Sequence, residues 1–125
     1  MTGLRLELFV ADVDASVAFY RDVLGFAVER EEPGYVAMRL GDVRFAICQE
    51  SDLPPGHHFG PEALGRQKGV GIEVVIEVDD IQESHQRVVE SGYPLSKSLT
   101  VQPWGLTDFR VVDPDGYYVR VTSKA

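Results

Sequence analysis

The sequence predicts an α+β protein built from two copies of a strand–helix–three-strand (βαβββ) module. A single offset of 68 residues aligns the first predicted strand and its following Asp12 with a second strand that ends at Asp80. Within each copy, apolar residues alternate along short segments, which is typical of strands with one face on a core. We therefore expect the 125-residue chain to be one domain, with module one at 1–50, a linker at 51–69 and module two at 70–125.

Each module is predicted to continue from its first strand into an amphipathic helix, from about Asp14 to Leu24 and from about Asp80 to Ser91. Gly25 and Gly92 follow these helices, and glycine is common just past a helix end because it adopts a positive φ without strain. Turn residues such as Asp113-Pro114-Asp115-Gly116 separate three strand-like runs in each module. The predicted runs are 26–31, 35–40, 43–49, 95–101, 106–112 and 117–123. The linker is rich in Pro and Gly, with one helical turn expected near Pro61–Gly65.

The composition excludes several classes of function. The net charge is -8 and the pI is about 4.7, whereas binding to nucleic acid or to anionic membranes requires a basic face. No stretch approaches the roughly 20 apolar residues of a membrane span, and the first residues lack the apolar run of a signal peptide. The single cysteine, Cys48, cannot form an internal disulfide, which fits a reducing compartment. We therefore expect a cytoplasmic protein that binds neither nucleic acid nor membranes.

Several motifs together resemble the vicinal oxygen chelate superfamily, which includes glyoxalases, bleomycin-resistance proteins and extradiol dioxygenases. They are Asp12-Val13-Asp14-Ala15-Ser16, Phe19-Tyr20 with Leu24-Gly25-Phe26, and Phe109 followed by Asp113-Pro114-Asp115-Gly116. The resemblance covers nearly the whole chain. It implies the glyoxalase/bleomycin-resistance fold, in which each module curls its sheet into a cup-shaped half-barrel, and it implies an intertwined homodimer.

Metal-dependent members of this superfamily hold a divalent ion with four side chains. The resemblance places the equivalent positions on Arg5, Ala46, Glu73 and Arg120. Arginine is always cationic near neutral pH and has no free lone pair with which to coordinate a metal ion. One carboxylate beside two guanidinium groups repels a dication. We therefore expect no metal and no other cofactor, which argues against glyoxalase or dioxygenase chemistry.

Other metal-ligating or nucleophilic side chains do not restore such a site. His57 and His58 are adjacent in the linker, and His85 lies on the helix side expected to face water, so all three are predicted to be exposed. One alternative stays open, in which Glu7 on the first strand serves as a metal ligand at a shifted position. Cys48 is predicted to be a small buried apolar residue rather than a reactive thiol.

Strand alternation assigns the charged residues that face the cup. Arg5 and Glu7 point into it from the first strand, whereas Glu73 and Arg120 do so from module two. Because a partly buried lone charge is costly, Glu73 is expected to form an ion-pair cluster with Arg5 and Arg120. Two interpretations of this cluster stay open. It either only ties strands together or leaves a guanidinium edge free for a ligand carbonyl or phenolate.

Trp104 lies between Pro103 and Gly105 in a loop, where a large ring is poorly placed for core packing. It is either an edge-of-core or dimer-contact side chain, or a stacking wall for a planar ligand, worth about 0.5–1.5 kcal/mol beyond its buried area. The resemblance favours the stacking wall, because this Pro-Trp-Gly is typical of the bleomycin-resistance-like branch. The residues expected to bind a ligand are Trp104, Phe9, Arg5, Glu7, Tyr35, Phe59, Glu73, Tyr118 and Arg120.

Three functions follow as hypotheses. The resemblance favours a metal-independent binding protein that sequesters an aromatic antibiotic or natural product (bleomycin-, mitomycin- or enediyne-like) and confers resistance. The alternative is a metal-independent isomerase, cyclase or other lyase-type enzyme acting on a polyketide-like molecule. In that case Glu7 or Glu73 would be the base, and an arginine, Arg5 or Arg120, would stabilise an enolate. The third is a domain whose partner is another protein.

Overall fold

The computed structural model describes residues 2–60 and 67–125, and these ranges contain two βαβββ units in succession. The predicted helical turn at Pro61–Gly65 lies outside the described residues. No helix within the described ranges has the length and apolar character needed to cross a bilayer. The strands are β1 (Leu6–Val10), β2 (Ala27–Glu32), β3 (Tyr35–Leu40), β4 (Val43–Gln49), β5 (Glu73–Val78), β6 (Lys97–Val101), β7 (Thr107–Val112) and β8 (Tyr118–Ser123), and the helices are α1 (Val13–Ala18) and α2 (Ile81–Ser91).

The strands form two four-stranded mixed sheets with the same topology. The strand order is β1-β4-β3-β2 in one sheet and β5-β8-β7-β6 in the other. In each sheet the first and last strands of the module pair in parallel, and the remaining neighbours are antiparallel. The predicted α+β class and the glyoxalase/bleomycin-resistance fold are confirmed.

The two helices begin in the same way but end differently. The carboxylates of Asp12 and Asp80 cap the helix starts by accepting from backbone N–H groups three residues later. Helix α2 ends at Gly92, with φ 77°, as predicted. Helix α1 is shorter than the predicted 14–24, because the chain continues from Phe19 to Val23 as a π-helical segment. The wider turn buries two adjacent aromatic residues together with Val23.

One hydrophobic core joins residues from both modules. Tyr20 is fully buried, and its ring makes edge-to-face contacts with Phe19, Phe26 and Phe45. Its hydroxyl donates to the carboxylate of Asp113 at 2.7 Å, across a sequence separation of 93 residues. This buried hydrogen bond ties the π-helical segment of module one to the β7–β8 turn of module two.

Candidate ligand-binding site

Arg5, Glu7 and Tyr35 meet on the side of the first sheet that faces away from the core. The Tyr35 hydroxyl donates to Glu7 Oε2 at 3.2 Å, and Arg5 Nη2 lies 3.4 Å from the same oxygen. Arg5 was expected to pair with Glu73, and that expectation is wrong. Arg5 directly precedes β1, and its side chain lies on the same face of the strand as that of Glu7, two residues later. The Arg5 guanidinium therefore pairs with this nearer carboxylate. The pair is largely exposed and contributes little to stability.

Phe9 and Tyr35 stand on either side of a small residue on this surface, which we call the module-one face. Both pair with Cys48 in the strand register, one from β1 and the other from β3. Because neighbouring strands lie about 4.8 Å apart, the two aromatic residues start roughly 10 Å apart at the backbone. The Tyr35 side chain then reaches across β4 to Glu7 on β1. Phe9 also packs against Phe59, with the ring centroids 5.1 Å apart. A cleft of about 430 Å³ runs beside this pair and is lined in part by Leu6, Glu7, Val74 and Tyr117.

The thiol and the imidazoles have different environments. Cys48 is buried, as predicted, and burial raises the pKa of its thiol to about 11, so it is not a nucleophile near neutral pH. His58 is exposed, as expected. The same prediction is wrong for the other two histidines, which are half-buried. His57 packs edge-on against Phe9, with ring centroids 5.5 Å apart, and His85 packs in the same way against a core phenylalanine.

The second sheet carries an ion-pair cluster on the side that alternation places away from the core, which we call the module-two face. Arg110 Nε donates to Glu73 Oε2 at 2.9 Å, and Arg120 Nε lies 3.3 Å from Glu73 Oε1. Arg120 Nη1 is also 3.7 Å from Asp108 Oδ2. The predicted Glu73–Arg120 pair is therefore present, but Arg110 takes the place that was expected for Arg5. The hydrogen bond to Glu73 also raises the pKa of Arg110, which keeps its guanidinium charged.

Trp104 lies in the turn between β6 and β7. Backbone hydrogen bonds from Gln102 to Leu106 at 2.8 Å and from Gly105 to Gln102 at 2.9 Å close this turn. The side chain of Gln102 then donates to Asp108 Oδ1 at 2.8 Å, which fixes the turn to the ion-pair cluster. The Trp104 side chain is 58% exposed despite this rigid support. It is therefore not a core residue.

The predicted ligand-binding residues fall into two sets. Phe59 and the three module-one residues Glu7, Phe9 and Tyr35 lie together with Arg5, whereas Glu73, Tyr118 and Arg120 lie on the module-two face and Trp104 lies in the adjoining turn. Tyr118 stands opposite Glu73 in the register. Within residues 2–60 and 67–125, no side-chain hydrogen bond or ion pair joins one set to the other.

The four positions equivalent to metal ligands do not fit a divalent ion. Both oxygens of Glu73 face guanidinium nitrogens, and Ala46 is a buried side chain with no donor atom. Arg5 and Arg120 bring positive charge to the other two positions. Among the described residues, no cluster of three His, Cys, Asp or Glu side chains could hold a metal. We therefore assign no step to a metal.

Sequence comparison places the protein in a family. Residues 4–121 match the Glyoxalase/Bleomycin resistance protein/Dioxygenase superfamily. The chain belongs to this superfamily.

Individual relatives include proteins with two different names. The chain is 31% identical over 112 residues to a bleomycin resistance protein of Geobacillus stearothermophilus, covering 85% of this chain and 84% of that protein. It is 28% identical over 125 residues to a lactoylglutathione lyase of Salmonella typhimurium, covering 97% and 91%. A crystal structure of a protein of unknown function from Agrobacterium tumefaciens superposes with a TM-score of 0.78 at 26% identity, covering 100% of this chain and 95% of that one.

Proposed function

We propose that this protein binds and sequesters a flat aromatic antibiotic or natural product and thereby confers resistance, without a metal. The observation that carries the proposal is the exposed Trp104 ring, held on a turn that hydrogen bonds fix to the polar module-two face. A large exposed ring on a rigid support provides stacking area at little cost in ordering. The relatives named as bleomycin resistance proteins support the same direction.

The module-two face, which the Trp104 turn borders at one end, has the make-up of a small-molecule site, in which apolar area surrounds a few polar groups. Val75 and Val112 are apolar and exposed on the module-two face, next to Tyr118. Arg120 and Glu73 supply the polar groups between them. A flat ligand would stack on the tryptophan and direct its polar substituents towards the arginines.

A homodimer completes this proposal. In the part of the chain that the structure describes, no side-chain hydrogen bond or ion pair joins the module-one face, with Phe9 and Tyr35, to the module-two face and Trp104. A second copy would provide an aromatic wall opposite each tryptophan. Sedimentation equilibrium at micromolar concentration should give twice the chain mass of 13.9 kDa. A mass of one chain at these concentrations would contradict the dimer.

A metal-independent enzyme is the second candidate, favoured by one observation on the module-one face. The Glu7 carboxylate is partly exposed and lies within reach of a tyrosine hydroxyl and of Arg5, an arrangement suited to proton transfer beside an enolate. Glu73 is less suitable as a base because both of its oxygens face guanidinium groups. Conversion of a bound compound, abolished by Glu7→Gln, would identify this function.

Titration of the single tryptophan separates these functions. Bleomycin, mitomycin C and an enediyne chromophore would be added to the wild-type protein while Trp104 fluorescence is followed. We expect at least one compound to quench the emission with saturation at one ligand per chain, and mass spectrometry should recover that compound unchanged. Turnover of a panel compound would support an enzyme instead. Absence of quenching by every compound, together with no binding of the acidic and neutral aromatic probes described below, would contradict sequestration.

A further inference from the structure

The module-two face holds two neighbouring arginines whose terminal nitrogens make no hydrogen bond to the described part of the chain. Arg110 and Arg120 stand directly opposite each other on β7 and β8, where facing Cβ atoms are about 4.5–5.5 Å apart. The Nε–H of Arg110, bound to Glu73, is the one guanidinium donor of this pair with a hydrogen bond among the described residues. Both side chains are about four-fifths buried, at 21% and 22% exposed. Like charges directly opposite each other are destabilising, and the Glu73 carboxylate, which contacts both guanidinium groups, offsets this repulsion.

The nearby carboxylates balance the charge of this pair but leave its hydrogen bonding incomplete. Glu73 is shared between both arginines, and the closest approach of Asp108 to Arg120 is 3.7 Å. Asp108 Oδ2 and Arg120 Nε are buried and make no hydrogen bond to any of the residues 2–60 and 67–125, although buried polar atoms are almost always satisfied in native proteins. Lys97 stands opposite Arg110 on the outer strand β6 and adds a third positive charge to the row. The arginine pair therefore keeps guanidinium N–H donors that have no hydrogen-bond acceptor among the described residues.

The position of the row relates it to Trp104. Asp108, to which the tryptophan turn is fixed, lies two residues before Arg110 on β7, and two residues of a strand span about 7 Å. Trp104 thus lies at the end of β7 from which the strand leads to Arg110, and a compound that extends from the ring along this strand by about 7 Å or more would reach the arginines. The guanidinium fork matches the two oxygens of a planar oxyanion, and such charge-assisted pairs are the stronger hydrogen bonds in proteins.

Taking the proposed function as its basis, we propose that Arg110 and Arg120 bind an anionic oxygen group on the aromatic ligand, such as a carboxylate, a sulfonate or an acidic phenolate. The protein then selects acidic flat compounds over neutral ones of the same shape. The selection is local, because the chain as a whole carries a charge of -8 and repels anions at long range.

A matched pair of fluorescent probes tests this selection. 1-Anilinonaphthalene-8-sulfonate and its uncharged parent N-phenyl-1-naphthylamine share one aromatic framework. We expect the wild-type protein to bind the sulfonate at least tenfold more tightly than the parent. The double variant Arg110→Gln/Arg120→Gln should lose this preference and keep its affinity for the parent within twofold. Arg21→Gln is the matched control, since Arg21 is exposed, carries the same charge and pairs with the neighbouring Asp22.

Two further variants distinguish an anion site from general loss of structure. Glu73→Gln removes the carboxylate that competes for both arginines and should tighten sulfonate binding severalfold. Arg120→Lys keeps the charge without the fork and should give an intermediate affinity. If the double variant does not fold, the salt dependence of the wild type takes its place as the test. Because salt screens charges, the preference of the wild type for the sulfonate over the uncharged parent should fall roughly threefold or more between about 20 and about 500 mM NaCl.

The outcomes separate this inference from the proposed function. Equal affinity of the wild type for both probes, or a preference that salt and Glu73→Gln leave unchanged, would overturn the anion site while aromatic binding stands. If neither probe binds and no compound quenches Trp104, the proposed function itself fails. If the double variant binds neither probe but keeps the circular dichroism spectrum of the folded wild type, the arginines shape the pocket and do not bind the charged group.

Discussion

Replacing Trp104 by alanine is expected to weaken binding of the aromatic ligand at least tenfold, which corresponds to about 1.4 kcal/mol. The ring supplies stacking energy of about 0.5–1.5 kcal/mol in addition to the apolar area that the ligand covers, at roughly 25 cal/mol per Å². Because the side chain is 58% exposed, the free energy of unfolding should change little. Isothermal titration calorimetry measures the affinity without depending on the fluorescence of the deleted residue.

Trp104→Phe is the matched control for this variant. It retains a smaller ring at the same position and should recover part of the affinity. A different result would follow if Trp104 were an edge-of-core or dimer-contact residue. Trp104→Ala would then lower the free energy of unfolding or dissociate the dimer, and ligand affinity per folded chain would stay at the wild-type value.

The second large effect is expected from Tyr20→Phe, which should lower the free energy of unfolding by about 1–3 kcal/mol. The change removes only the hydroxyl that donates to Asp113 at 2.7 Å, so the aromatic packing is kept while a buried carboxylate oxygen loses its partner. Urea unfolding at neutral pH measures the difference. Tyr118→Phe is the control, because the Tyr118 hydroxyl makes no hydrogen bond among the described residues. Equal losses in the two variants would contradict a special role for the Tyr20–Asp113 bond.

The same tyrosine predicts a loss of stability in alkaline solution. Burial, followed by the charge of Asp113, raises the pKa of Tyr20 well above its ordinary value of 10.0. The unfolded chain therefore releases the Tyr20 proton at a lower pH than the folded chain. The contribution of Tyr20 to the free energy of unfolding is complete below pH 10.0 and declines as the pH rises towards the folded pKa. Tyr20→Phe should show a shallower decline above pH 10.0 than the wild type, measured by urea unfolding at successive pH values.

Most of the fold could be predicted because each strand and helix of one module has a counterpart in the other, and turn residues mark where the strands end. The predicted strands 35–40 and 43–49 match β3 and β4, and the other strands differ by one or two residues at their ends. The capping aspartates Asp12 and Asp80 set the helix starts. The π-helical segment was not predictable from an apolar period, since it is the packing of Tyr20 among core rings and its bond to Asp113 that favour the wider turn.

The site was harder to predict because it depends on pairing between strands. Arg110 was missed, although a signal existed. The Asp113–Gly116 turn closes a hairpin, and counting outward from that turn places Arg110 opposite Arg120. Arg5 was assigned to the wrong partner because alternation gives the face of a side chain but not its neighbour. His85 was expected to face water. Its helix packs on β7, and the imidazole contacts the Phe109 ring edge-on, with the ring centroids 5.6 Å apart.

Native mass spectrometry of the protein mixed with a quenching compound and with zinc and nickel tests the central claim most directly. Guanidinium groups at two of the four metal positions should leave the protein metal-free. The spectrum should show one unmodified compound per chain, and Trp104→Ala should remove that adduct. A stoichiometric metal adduct that disappears in Glu73→Ala, or a bound compound of altered mass, would contradict a site that holds its ligand by stacking and charge alone.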